Sequence, residues 1–336
     1  MSRTAELESP AAVVGGAAPT GTDATGTDAR EESTSHAMRS PDRSPDLVVA
    51  TDGTTDSDGA VRVGIALAQR DHANVQLVSF VEPLPHDAGG ILATDTVALS
   101  HVLREARGSE LTAQRNRTFP AAPEWPLTIE VGERVDGIVR FADRVRAGLT
   151  VLGLGEHGVS ARLRGRETVA RVIEVSKVPV LAVPRYAWGV PHSALAGLDF
   201  TPSSERAAGV ALQLLGGQGT LFLAHVSARV VIPQGDSRGW VELTAGGSRA
   251  MLEAVARRLG APPGVRIEFA SLQGDPATEL LAFADEFDIG TIAAGASDRS
   301  RVSKLVLGSV CSELVRNGRR WVLVSPPTGA SPSRHS

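Results

Sequence analysis

The chain repeats itself, and an internal repeat restricts the possible folds more than any composition does. Leu47-Val-Val-Ala-Thr-Asp52 and Ala194-Leu-Ala-Gly-Leu-Asp199 are short aliphatic runs closed by an aspartate, 147 positions apart. Gly155 and Gly295 each follow a further aliphatic run, 140 positions apart. Near-equal offsets at two landmarks point to a duplicated unit. Within each copy, runs of small and β-branched residues alternate with stretches whose apolar positions recur every three or four residues. Strands are expected at residues 75–81, 127–131, 149–154 and 178–184 of the first copy, and at 220–226, 265–269, 289–294 and 321–325 of the second. The long helix between strands two and three is marked by Val97, Val102 and Leu103 in one copy and by Leu252, Val255 and Leu259 in the other. Gly274-Asp-Pro276 opens a later helix, with Asp275 suited to the N-cap and Pro276 to the first turn. Strands alternating with helices imply a parallel sheet joined by crossover helices.

This fixes an expected organisation. Residues 1–45 are rich in Ala, Gly, Thr, Ser, Pro and Asp, with no apolar period to offset ordering entropy, and are expected to be disordered. Two α/β domains follow, 46–187 and 192–327, each an open five-stranded, mostly parallel sheet with flanking helices. Residues 328–336 form a flexible tail. The 336 residues suffice for about two domains. A net charge of −4 gives no reason to expect nucleic acid or membrane as the main partner. One cysteine excludes an intramolecular disulfide framework and a cysteine-rich metal site. The eight histidines are scattered, none with metal-ligand spacing. No apolar run is long enough to span a bilayer and no signal pattern opens the chain, so a cytoplasmic location is expected.

The chemistry concentrates after Ile289-Gly-Thr-Ile-Ala-Ala294. There Gly295 opens a loop carrying Asp298, Arg299, Arg301 and Lys304, which runs to Gly308-Ser309 and a helix beginning at Val310. A strand, a glycine that admits close backbone approach and a helix N-terminus with unpaired N–H groups make an anion site. No Gly-Lys-Ser/Thr closes the loop, so it is not a Walker P-loop. The spacing of Gly295, Gly308 and Ser309 resembles the nucleotide loop of the universal stress protein family: Gly, two residues, Gly, nine residues, then Gly-Ser or Gly-Thr. The likeness extends over residues 46–327 and is strongest in the second half. It implies a tandem member of the family with an adenine nucleotide α-hydrolase-like fold.

The resemblance implies adenine-nucleotide binding, of ATP or AMP, for stress-response regulation rather than rapid catalysis. Carried over by residue, Asp199 accepts hydrogen bonds from the base, the Val226 backbone lies beside it, and Gly295, Gly308, Ser309 and Val310 receive the phosphates. Asp52, Gly155, Gly158 and Thr168 are the first-half counterparts. Each half departs from the pattern. Asp298 replaces the second glycine of the second half, either paired with Arg299 or Arg301, or holding Mg²⁺, or marking a loop that has lost ATP. In the first half Gly155 and Gly158 are kept, but Thr168 stands where the last glycine belongs, among Arg162, Arg164 and Arg166. Local turn capping is the competing role for Asp199, simple helix capping for Ser309, and plain core packing for Cys311. The family's dimers pair their fifth strands, so residues 178–183 and 321–325 can pair within one chain as a pseudo-dimer, with homo-oligomers also open. The alternatives in function are a nucleotide-free scaffold for an unidentified protein partner, and a slow Mg²⁺-dependent ATPase or self-phosphorylating switch.

Overall fold

The computed structural model describes residues 47–82, 93–119, 125–155, 159–228, 237–296, 308–317 and 319–327. The expected tails, Gly158 and the stretch from Asp298 to Lys304 lie outside them. The first half runs β1 (Leu47–Ala50), a 3₁₀ turn (Thr55–Ser57), α1 (Asp58–Asp71), β2 (Val75–Val81), α2 (Ala93–Thr118), β3 (Leu127–Val131), α3 (Arg134–Arg144), β4 (Leu149–Leu154), α4 (Val159–Val175) and β5 (Val180–Pro184). The second runs β6 (Ser193–Gly197), α5 (Pro202–Leu214), β7 (Gly219–Ser227), α6 (Ser237–Leu259), β8 (Val265–Gln273), α7 (Pro276–Glu286), β9 (Thr291–Gly295), α8 (Ser309–Asn317) and β10 (Trp321–Ser325).

Each half orders its strands 3-2-1-4-5, and the halves join edge to edge as one ten-stranded sheet, β3-β2-β1-β4-β5-β10-β9-β6-β7-β8. All neighbours are parallel except β5 and β10, which pair antiparallel through Ala182↔Val322, Leu181↔Leu323 and Val180↔Val324. Matching residues exchange partners around Leu181 and Leu323, the signature of a twofold relation inside one chain. Both leucines are wholly buried, each worth about 1.5–3 kcal/mol of hydrophobic transfer. The junction covers two strand edges that would otherwise be open to other chains. An apolar layer lies on each face of the sheet and crosses the junction. One holds Phe141 and Ile173 with Phe283 and Leu314; the other holds Val63 and Leu67 with Leu212 and Leu252.

The helix starts follow local chemistry. Asp275 caps α7, its carboxylate accepting from the Thr278 amide at 3.0 Å. Glu133 does the same for α3 through the Asp136 amide at 2.7 Å. One expectation fails. Sequence periodicity places the fourth helix of the first half near residues 169–176, whereas α4 begins at Val159. Nothing in Ala161-Arg-Leu-Arg-Gly-Arg-Glu167 stops a helix except one tolerated glycine, so residues read as loop continue the helix.

Candidate functional site

The strand order reverses beside β1 in the first half and beside β6 in the second, where a crevice opens at the carboxyl ends of the strands. Asp52 and Asp199 leave β1 and β6 there. The Asp52 Oδ1 accepts from the Thr54 amide (3.1 Å), the Thr54 hydroxyl (2.7 Å) and the Ser57 hydroxyl (2.9 Å). The Asp199 Oδ1 accepts from the Thr201 amide (3.1 Å) and hydroxyl (2.6 Å). Both aspartates therefore shape a turn, and the residue after each is left-handed, Gly53 at φ 79° and Phe200 at φ 61°. Burial pushes the Asp52 carboxyl up, but the Thr54 and Ser57 hydroxyls, the Thr54 amide and the Arg107 charge outweigh it and leave it below the usual value. For Asp199 the same opposition holds: burial raises it, and the Thr201 and Ser204 hydroxyls and the Thr201 amide bring it below the usual value.

Sheet register corrects the correspondence between the glycine loops. Leu47 pairs with Leu149, and Ala194, 147 residues later, pairs with Thr291. Thr150 pairs with Val180, and Ile292 with Val322. From β4 to β5 the copies are thus 142 residues apart, and the partner of Gly295 is Gly153, not Gly155. The packing agrees. A Cβ on Gly153 would stand 2.7 Å from the Asp56 carbonyl oxygen and 2.9 Å from Ser57 Cα. On Gly295 it would collide with the Ser204 amide and come within 2.6 Å of the Ser203 carbonyl carbon. Asp56 and Ser57 are 147 residues before Ser203 and Ser204, so the same close approach recurs. In this register Arg166 and Glu167 take the places of Gly308 and Ser309, and Thr168 matches Val310. Thr168 lies inside α4, where the backbone N–H is committed to the helix, and so lacks the expected place at a helix start.

The first half forms an open cleft of about 680 Å³ over the ends of β1, β2 and β4. It brings Asp52, Gly155 and Thr168 together above an apolar floor of Val78, Phe80, Val135, Ile138 and Leu152. Its volume suits a small-molecule ligand. Its described rim is acidic: Asp52, Asp56, Glu82, Glu133 and Glu167 face only Arg134 and Arg171, and Arg134 is paired with Glu82 at 3.3 Å. The floor fits an adenine ring, but the described rim does not fit phosphates.

In the second half three pieces converge. The Ser203 hydroxyl donates to the Ala296 carbonyl (3.0 Å), tying the start of α5 to the end of β9. The Cys311 thiol donates to the Gly295 carbonyl (3.6 Å), tying the start of α8 to the same point. Gly308 precedes α8 and its carbonyl accepts from the Ser312 amide (3.0 Å), while Ser309 opens the helix. Val226 lies near the end of β7, half-buried against the core. Gly295 lets the start of α5 pack closely on the end of β9, and α8 beside it supplies a helix N-terminus whose first amides are suited to a phosphate-bearing ligand. Burial, with the Asp199 charge added, pushes the Cys311 thiol up to about 12, which makes it a core residue rather than a nucleophile.

The universal stress protein family model matches residues 45–184 and again 192–326. The chain belongs to the universal stress protein family. A universal stress protein from Archaeoglobus fulgidus DSM 4304 has the same fold over both halves: TM-score 0.57 at 18% identity, covering 84% of this chain and 96% of its own. A putative universal stress protein from Pseudomonas aeruginosa UCBPP-PA14 matches with TM-score 0.52 at 13% identity, covering 85% and 94%. A universal stress protein solved in complex with cAMP is 25% identical over 42% of this chain and 97% of its own, with TM-score 0.29, too loose a fit to bear on the ligand here. No curated protein matches the chain. Among the described residues no helix is long and apolar enough to cross a membrane.

Proposed function

We propose that this universal stress protein is an adenine-nucleotide-binding regulator and that its second half takes the nucleotide. The observation that carries the reading is the register. It leaves Gly295 packed on the start of α5 and Gly308-Ser309 at the start of α8, whereas the first half has Arg166-Glu167 at the latter place. The base lies toward Asp199 and the Val226 backbone, and the phosphates lie over Gly295 and the first amides of α8, where the helix dipole favours negative charge. The test is to heat-release small molecules from purified protein, identify them by mass spectrometry, and titrate ATP and AMP into emptied protein. Asp199→Ala and Ser309→Ala are expected to lose the nucleotide and Asp52→Ala to keep it. The opposite pattern moves the site to the first half. The acidic rim of the first cleft favours a second reading, a scaffold acting through a protein partner. Emptied protein that ignores both nucleotides supports that reading instead.

A further inference from the structure

The two long helices that follow β2 and β7 are held to their aspartate loops by different means. In the first half the attachment is a buried hydrogen-bond network. Gln114 of α2 is only 2% exposed. Its amide nitrogen donates to the Thr54 carbonyl (3.2 Å), the Ser57 hydroxyl (2.9 Å) and the Asp58 carboxylate (3.0 Å). Its amide oxygen accepts from the Thr51 hydroxyl at 2.7 Å. One turn on, Arg117 grips both oxygens of Asp58 at 2.8 and 2.9 Å and donates to the Gly53 carbonyl at 3.2 Å. Two turns back, Arg107 donates to the Asp52 carbonyl. Ser57 closes the circuit: its hydroxyl donates to the Asp52 carboxylate (2.9 Å), while its oxygen accepts from Gln114 and stands 2.8 Å from the Thr51 oxygen.

Among the described residues the second half keeps only the outer pair. Arg258 binds Glu205 at 2.6 and 3.1 Å, matching Arg117 and Asp58. Leu198 stands at the Thr51 position and Val255 at the Gln114 position, both within one apolar layer. Apolar contacts tolerate sliding. A buried polar network holds a discrete arrangement, because each unmade bond leaves a desolvated group unpaired.

We propose that α2 is a read-out element for the first-half cleft: a change at the Asp52 carboxylate, which lines the cleft, is transmitted through Ser57 to Gln114 and so to the position of α2, and among the described residues no such path leads from Asp199 to α6. Gln114 is the positioning residue of this path. Coupling through a contiguous network of this kind requires that both ends bias one structural element, and here the element is the last three turns of α2. Asp52 needs no particular ligand for this role. Any cleft occupant that competes with Ser57 for its carboxylate acts on the same path.

The test uses the full chain without ligand. Backbone amide hydrogen exchange is followed over residues 107–118 and 249–259. Asp52→Ala is expected to speed exchange in 107–118 by about tenfold, the effect of losing one charge-assisted hydrogen bond. Asp199→Ala is expected to leave 249–259 unchanged. Gln114→Glu keeps the side-chain shape but has at most one proton to give where the amide serves Thr54, Ser57 and Asp58, and should reproduce the Asp52→Ala effect. Should Gln114→Glu fail to fold, the pair Thr51→Leu with Gln114→Val installs the second-half residues. In that background Asp52→Ala should no longer alter exchange in α2. Unchanged α2 exchange in Asp52→Ala, or an equal response of both helices to their own aspartate, overturns the proposal.

Discussion

The Asp52 loop and the Asp199 loop occupy the same place in two copies of one unit, yet they are built on opposite principles. Around Asp52 the residue in the left-handed position is Gly53, and α2 lies so close that a Cβ there would stand 2.9 Å from Glu110 Cβ. Around Asp199 the same position is Phe200, which carries the backbone cost and lays its ring on His225 with centroids 4.7 Å apart. The His225 ring is itself bonded to the Leu198 carbonyl through Nδ1 at 2.7 Å. One loop is pressed under a helix and wired to it; the other is propped by an aromatic pair and sealed with aliphatic side chains. The turn survives both treatments because its own bonds, from Asp to the residue two ahead, are local. What duplication left free to diverge was the attachment to the helix above.

This contrast can be broken or sharpened by substitution. The largest effects should be shared. Gly153→Val and Gly295→Val each force a side chain into backbone and should destabilise by about 3 kcal/mol or more in urea unfolding; tolerance at one position alone would end the equivalence drawn from the register. Next come the ion pairs, where the halves should differ. The Asp58 side chain is 8% exposed and Glu205 30%. Removing the buried partner by Asp58→Ala should cost about 2–3 kcal/mol, and Glu205→Ala less than about 1 kcal/mol. Smaller again are the left-handed positions. Gly53→Ala should cost about 1–2 kcal/mol by thermal unfolding, whereas Phe200→Gly relieves strain as it loses ring contact and should stay within about 1 kcal/mol of the parent.

The pH dependence should be common to both loops. Each aspartate lies below the ordinary carboxylate value of 3.8 in the folded chain. Its contribution is therefore full above that value and is lost as pH falls through the lower folded one. Replacing either by Asn should flatten acid unfolding in that window, with the loss of stability largest at neutral pH, where the carboxylate contributes in full, and fading as pH falls through the folded value. Cys311→Val installs the first-half residue Val169 and should change stability by less than about 1.5 kcal/mol. With a thiol raised to about 12, native protein at pH 8 should react with iodoacetamide only as fast as it opens.

Much of the fold was legible because it rests on period. Aliphatic runs separated by helical spacing marked every strand, and Gly274-Asp-Pro276 marked the start of α7 to the residue. The landmarks Asp52 and Asp199 were equally plain, since an aspartate closing an apolar strand is a local signal. The glycine loop misled. Gly153 and Gly155 are two residues apart in Gly153-Leu-Gly155, and a spacing rule cannot tell which one packs against the next helix. Thr168 looked like a loop hydroxyl because an arginine-rich stretch reads as readily as a loop as it does as an exposed helix. Gln114 left no trace at all: a polar residue in a long helix is ordinarily solvated, and only the neighbours supplied by Thr51, Ser57 and Asp58 make it a buried hub.

The sequence by itself determined that two copies of an alternating strand-and-helix unit would form, because apolar period and turn chemistry act over a few residues and need no distant partner. It also carried the family's glycine and serine positions in the second half. Tertiary structure decided the rest: that β5 and β10 join the copies into one sheet, that Gly153 rather than Gly155 meets the helix, and that, among the described residues, one aspartate loop is wired to its long helix while the other is not. Those outcomes depend on which surfaces touch, and contact between residues some sixty positions apart, such as Thr51 and Gln114, is set by the packed fold and not by local pattern.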